Sequence, residues 1–200
     1  MTIDTSQLAG KHVYLELLSP GHREIIRPLA RDERIWEFNK MLLVDDRYDK
    51  MYDDYFDTAM NKEAMGGQHT FVIRSTGDQA IIGMTRLYEI NLRDKSATIG
   101  YTWYIPSVWG KVHNKECKLL LLQHAFEKLD CICVEFRTHF MNLQSRRAIE
   151  RLGAKLDGIL RSNMIMANGT IRDTAVYSII APEWPAVKAN LRWQLDKPRS

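Results

Sequence analysis

Alternating and helical hydrophobic spacings follow one another along the 200 residues with few gaps. "KHVYLELLS" (11–19) alternates as a strand, and Ser19-Pro20 then supplies a cap and a first-turn proline for a helix over much of 20–38. Tyr52, Tyr55, Phe56 and Ala59 fall at i, i+3, i+4 and i+7 and predict a second helix between 45 and 60. "HTFVIRS" and "QAIIGMTRLYEI" read as strands joined by the turn signal "STGD", and "SATIGYTWYI" is a third, ending at Pro106. Leu119, Leu122, Ala125, Phe126 and Leu129 make a helical stripe, followed by the strand "CICVEFRTHF". "NLQSRRAIERLGA" opens on Asn142, a good cap, and stops at Gly153, a good terminator. "GILRSNMIMANGTIRDTAVYSII" is two strands around Asn168-Gly169, and "PEWPAVKANLRWQL" closes the chain as a helix.

The resulting order, β-α-α-β-β-β-α-β-α-β-β-α, predicts a mixed α/β domain with an antiparallel meander ahead of strand–helix–strand units. The leucine-rich helix between "IGYTWY" and "CICVEF" is long enough to be the crossover that a parallel pair requires. No linker, repeat or low-complexity tract interrupts the pattern, so residues 1–200 are expected to form one domain.

Apolar residues make up 45% and charged residues 26%, the balance of a soluble globular protein. No apolar run approaches the length of a membrane span, and the N-terminus lacks a signal-peptide pattern, so a cytoplasmic protein with no membrane partner is expected. A formal charge of +3, without basic stretches interleaved with aromatics, argues against a nucleic-acid partner. Cys117, Cys131 and Cys133 form neither a disulfide framework nor a metal-ligand set, and no metal is expected.

The chemistry concentrates in three segments: the strand "IGYTWY", the turn "WGKVHN" with the helix "KECKLLLLQHAFE", and the helix "NLQSRRAIERLG". With the hairpin "DGILRSNMIMANGTIRDTAVYSII" and the element order, they resemble the GNAT acetyltransferase superfamily. The resemblance is strongest to its branch of ribosomal-protein N-terminal (Rim-type) acetyltransferases and runs from about residue 11 to 185. It implies the GNAT fold, a mixed central sheet of about seven strands with flanking helices. It also implies an N-acetyltransferase moving an acetyl group from acetyl-CoA, as cosubstrate, to a primary amine by direct transfer in a ternary complex. An alternative implied by the same fold is a sensor or scaffold that binds CoA without turnover.

By this resemblance, Trp103 and Tyr104 offer main-chain groups to the pantetheine arm, and Lys111, Val112, His113 and Asn114 form the pyrophosphate turn. A helix N-terminus favours a phosphate by its dipole and its N–H groups. Val112 stands where the family pattern has glycine, and a β-branched residue there resists positive φ. Lys111 and His113 add charge to the turn, or are solvated loop residues. Asn142 is expected to bond the pantetheine region. Arg146 or Arg147 is expected near the cosubstrate's phosphates, with pairing to Glu150 as the alternative. Ser145 matches a serine that supports the departing thiolate, while Ile149 stands where other members carry an acidic tyrosine. Met164 and Asn163 occupy positions where relatives carry a glutamate or histidine base, which leaves Glu89, His69 and His139 as candidates.

The acceptor is expected to be a small-molecule or peptide amine. Between Asp45 and Asp57, six aspartates oppose Arg47 and Lys50, a net charge of −4 (2 − 6) that could attract a cationic amine or could be a solvated helix face. Trp36 and Phe38 are either walls of the acceptor site or core. The sequence leaves a homodimer open.

Overall fold

The computed structural model describes residues 8–38 and 44–197. A seven-stranded sheet, ordered β1-β2-β3-β4-β5-β7-β6, runs through it. Its strands are β1 (Val13–Leu17), β2 (Gln68–Ser75), β3 (Ile81–Asn91), β4 (Ser96–Tyr104), β5 (Cys133–His139), β6 (Lys155–Ile165) and β7 (Ile171–Ile180). The helices are α1 (Arg23–Leu29), α2 (Tyr48–Ala64), α3 (His113–Glu127), α4 (Leu143–Leu152) and α5 (Trp184–Asp196). All strand pairs are antiparallel except β4–β5, which α3 crosses over to make parallel.

One difference from the expected elements concerns residues 20–38. The helix expected over this stretch is broken into a 3-10 turn at Pro20–His22, α1, and a second 3-10 turn at Glu33–Trp36. Pro28 lies within α1 and lacks the N–H that would continue its ladder, and the helix stops one residue later. Asp32 restarts the chain by accepting a hydrogen bond from the Arg34 N–H at 3.1 Å.

Helices cover the sheet on two sides. On one, α3 and α5 pack against β4, β5 and β7 through residues such as Leu121, Leu122, Phe136, Tyr177 and Leu191. The Phe126 and Trp184 rings stack at 5.2 Å to join the two helices. On the other, Ile26 of α1, Tyr52 and Phe56 of α2, and Trp36 of the second 3-10 turn are buried with Val72, Met84 and Trp103. The aspartate-rich stretch maps to the outer side of α2, where Asp53 pairs with Arg23 and Arg27, Asp57 with Arg23, and Asp54 with Lys50. That face is neutralised within the fold, chiefly by α1.

Candidate functional site

The parallel pair separates part-way along. Ser96–Ile99 of β4 register with Cys133–Phe136 of β5, and beyond them the two strands no longer pair. β3 accompanies β4 to its end and β7 accompanies β5, so residues 100–104 keep one open edge in the middle of the sheet. Each diverging strand leads into a helix, β4 into α3 and β5 into α4. Two helix N-termini therefore stand at the carboxyl end of the parallel pair, where open α/β sheets place their ligand crevices.

A bulge at Tyr101 prepares β4 for this position. Met84 faces Trp103 and Arg86 faces Gly100, so Tyr101 and Thr102 together oppose Thr85, and Tyr101 has a φ of 50°. The extra residue redirects the side chains. Tyr101 turns towards α2, while Thr102 turns towards α3 and bonds Thr85 Oγ1 at 2.8 Å and Lys118 Nζ at 2.6 Å.

Trp103 and Tyr104 sit differently. Ile105 N–H donates to Ile82 C=O, so by alternation Trp103 turns its main-chain groups to Met84, while Tyr104 turns its own to the open edge. Consistent with this, a Cβ on Gly83 would lie 2.1 Å from the Trp103 carbonyl oxygen. Trp103's side chain is buried against Trp36. The main-chain edge presented to the crevice thus moves from Trp103 to its neighbours Thr102 and Tyr104. The Tyr104 carbonyl already accepts from the Trp109 indole at 2.7 Å, which ties the turn to the strand.

In the turn itself, the positive φ falls on Gly110 (71°), whereas Val112 has φ −67° and ψ −25°. The valine is the helical cap residue, so its branched side chain meets no backbone conflict. The ladder of α3 begins with Glu116 N–H donating to Val112 C=O, and the N–H groups of Val112 and Asn114 lie ahead of it. Asn114 Oδ1 is buried with no hydrogen-bond partner among the described residues. Lys111 is exposed and His113 half-buried. Glu116 fixes the helix start from behind, accepting from the N–H groups of Lys11 (2.9 Å), His12 (2.6 Å) and Val13 (2.7 Å).

At the second N-terminus, Asn142 Oδ1 accepts from Ser145 N–H at 2.9 Å, an N-cap that leaves the amide nitrogen for other partners. Ser145 is half-buried. Arg146 is committed to the fold, donating to the Tyr177 hydroxyl (2.9 Å) and the Phe140 carbonyl (3.2 Å). Glu150 accepts from the same hydroxyl, so the i,i+4 ion pair does not form and Arg147 stays exposed.

The candidate bases are largely engaged. His69 bonds Glu63 at 2.8 Å, Glu89 pairs with Arg137 at 3.1 Å, and His139 Nδ1 accepts from Met141 N–H at 3.0 Å, with burial holding its pKa down. Met164 lies on the edge strand β6, and Ile149 is core. Trp36 is core as well, with its indole donating to Ala30 C=O at 2.7 Å, whereas Phe38 is exposed.

Lys118 and Arg86 escaped the sequence reading. Lys118 is buried beneath the bulge, and desolvation pulls its pKa down to about 8. Arg86, in the middle of β3, is 2% exposed and lines a cavity of about 320 Å³ shared with Tyr101 and α2. The available signal was a lone charge at an inward position of the apolar run "IIGMTRL".

Residues 12–155 match the acetyltransferase (GNAT) domain family. The chain belongs to that family. Among its relatives, "Probable N-acetyltransferase YjcK" of Bacillus subtilis (strain 168) is 28% identical over 189 residues, covering 88% of this chain and 98% of that protein. A GCN5-related N-acetyltransferase from Brucella melitensis superposes with a TM-score of 0.83 at 25% identity, over 94% of this chain and 84% of that one. The fold is also that of spermidine N-acetyltransferase from Vibrio cholerae, solved with CoA and spermine (TM-score 0.70, 18% identity, 88% of this chain and 99% of that one). The GNAT membership accounts for the mixed seven-stranded sheet, and it makes this chain an N-acetyltransferase.

Proposed function

We propose that the chain transfers an acetyl group from acetyl-CoA to a primary amine, within the Rim-type branch that its motifs resemble. The observation that carries the donor assignment is the open β4 edge ending at two helix N-termini. Main-chain groups of Thr102 and Tyr104 suit an amide-bearing pantetheine arm, while the N–H groups at the start of α3, with Lys111 beside them, suit a pyrophosphate. The amide nitrogen of Asn142 and the exposed Arg147 add donors from the α4 side.

Acetyl-CoA supplies an activated thioester: as the amine forms its N–C bond, the C–S bond breaks, one proton leaves the nitrogen and one is taken up by sulfur. Ser145 supports the sulfur through its hydroxyl. Tyr101 and the bulge orient the incoming amine. With His69 bonded to Glu63 and Glu89 paired with Arg137, the amine reaches the site already neutral or passes its proton to water.

Isothermal titration with acetyl-CoA and CoA is the direct test. Micromolar binding is expected, weakened about tenfold or more by Lys111→Glu or Gly110→Ala, the latter because alanine strains a residue at positive φ. If neither ligand binds, the donor assignment fails.

A further inference from the structure

Most charge on the α1–α2 side of the sheet is matched. Arg23, Arg27 and Arg74 pair with aspartate or glutamate, and Arg137 pairs with both Glu89 and Glu135. Arg86 is the exception at the cavity. Its guanidinium lies 4.8 Å from the Tyr55 ring centroid and 4.3 Å from that of Tyr101. Among the described residues, its Nε and Nη2 have no hydrogen-bond partner and no carboxylate pairs with it. Ring faces attract a cation but accept none of the in-plane N–H bonds of the fork. A buried guanidinium in this state is costly, and an anion in the cavity would relieve the cost.

A second buried arginine lies on β7. Arg172 is buried and donates from Nε to Thr174 Oγ1 at 3.0 Å. At the cavity wall, Tyr101 meets Tyr88 edge to face at 5.0 Å. Tyr101 thus has the Arg86 guanidinium on its face, and neither Arg86 nor Arg172 has an acidic partner among the described residues. The one carboxylate in the cavity wall, Asp54, is held by Lys50 at 2.6 Å, and Lys62 adds another positive group.

We propose that the acceptor amine carries an oxyanion, a carboxylate or a phosphate, which Arg86 binds in this cavity. The fork geometry of arginine suits either group, and its position beside the β4 bulge sets the distance from anion to amine. Arg86 is then a specificity residue: it selects anionic amines over polycationic ones. The presence of an amine rests on the acetyl-transfer reading above, while the anion site rests on the cavity alone.

The test is release of CoA from acetyl-CoA with matched acceptor pairs: amino acids against their carboxamides, O-phosphoethanolamine against ethanolamine, and spermidine as the polycation. An anionic member is expected to exceed its neutral partner in kcat/KM by roughly tenfold or more, the worth of one charge-assisted hydrogen-bonded contact. Whichever pair discriminates identifies carboxylate or phosphate. Arg86→Gln should erase the discrimination and Arg86→Lys retain part of it, with acetyl-CoA affinity unchanged as the check that both variants fold. Preference for carboxamides or spermidine, discrimination that survives Arg86→Gln, or turnover of none of the anionic amines by protein that binds acetyl-CoA would overturn the proposal. Should acetyl-CoA fail to bind, the donor assignment falls, and the anion site is decided by the Arg86 Nε–Hε NMR resonance. A saturable shift with glycine or phosphate, absent with glycinamide, supports the site, and no shift sinks it.

Discussion

Lys118 sits where a charge is hardest to keep, buried under the bulge with two threonine hydroxyls as its partners. Its pKa falls from 10.5 to about 8 because burial disfavours the ammonium. The unfolded chain keeps that proton up to a higher pH, so below about pH 8 the folded state bears a cost of roughly 3 kcal/mol, relieved as pH rises towards 10.5. Lys118→Met should therefore be more stable than wild type at pH 7, because Thr85 and Thr102 still bond each other. The gap should close as pH rises from about 8 to about 10. Urea denaturation of both proteins at three pH values measures the gap, and a constant or widening difference would contradict this account. Val112 teaches a related lesson at the same scale. Its residue type suggested strain in the turn, but backbone conformation belongs to a position, and here Gly110 takes the positive φ.

At the scale of elements, α4 shows one side chain with two candidate tasks. Asn142 was legible both as a helix cap and as a ligand contact, and its carbonyl oxygen performs the first. Asn142→Ala should cost about 0.5–2 kcal/mol in stability by removing the cap. Asn142→Asp keeps the cap oxygen and favours the helix dipole, so it should retain stability while losing the amide donor. If that donor bonds the cosubstrate, acetyl-CoA affinity drops in the aspartate variant, about tenfold, with its melting temperature near wild type. Equal affinity in Asn142→Asp would reduce Asn142 to a cap alone. The α1 segment illustrates the opposite case: the Ser19-Pro20 start predicted a helix over much of 20–38, and α1 ends one residue after Pro28.

Across the whole molecule, α5 braces the α3 helix that carries the turn. Trp184 stacks on Phe126, and its indole donates to Glu127 at 2.8 Å. Trp184→Ala should lose roughly 3–5 kcal/mol, as expected for truncating a buried tryptophan, and Trp184→Phe less, because a ring remains to stack. Chemical denaturation checks both, and an alanine variant within about 0.5 kcal/mol of wild type would show that α5 does not brace the core. Among the described residues, no helix is long and apolar enough to cross a membrane.

The sequence by itself determined what depends on neighbours along the chain. Strand alternation, helical stripes, the Asn142 cap, the Gly153 stop and the Asn168-Gly169 turn are local, and they carried the order of strands and helices with the parallel crossover. The ordered motifs carried the family. Tertiary structure decided what depends on partners far apart in sequence. In the sequence the acidic run on α2 could be a cation-attracting surface or a solvated helix face, and arginines of α1 decide it by pairing with Asp53 and Asp57, because a charge acts through its nearest opposite charge in space. The point where β4 leaves β5 is set by two strands with a helix between them, and no residue of either announces it. Arg86 is the clearest case: only packing between Tyr55 and Tyr101 removes water from its guanidinium, and only the absence of a carboxylate among the described residues around it turns a strand arginine into a candidate anion site.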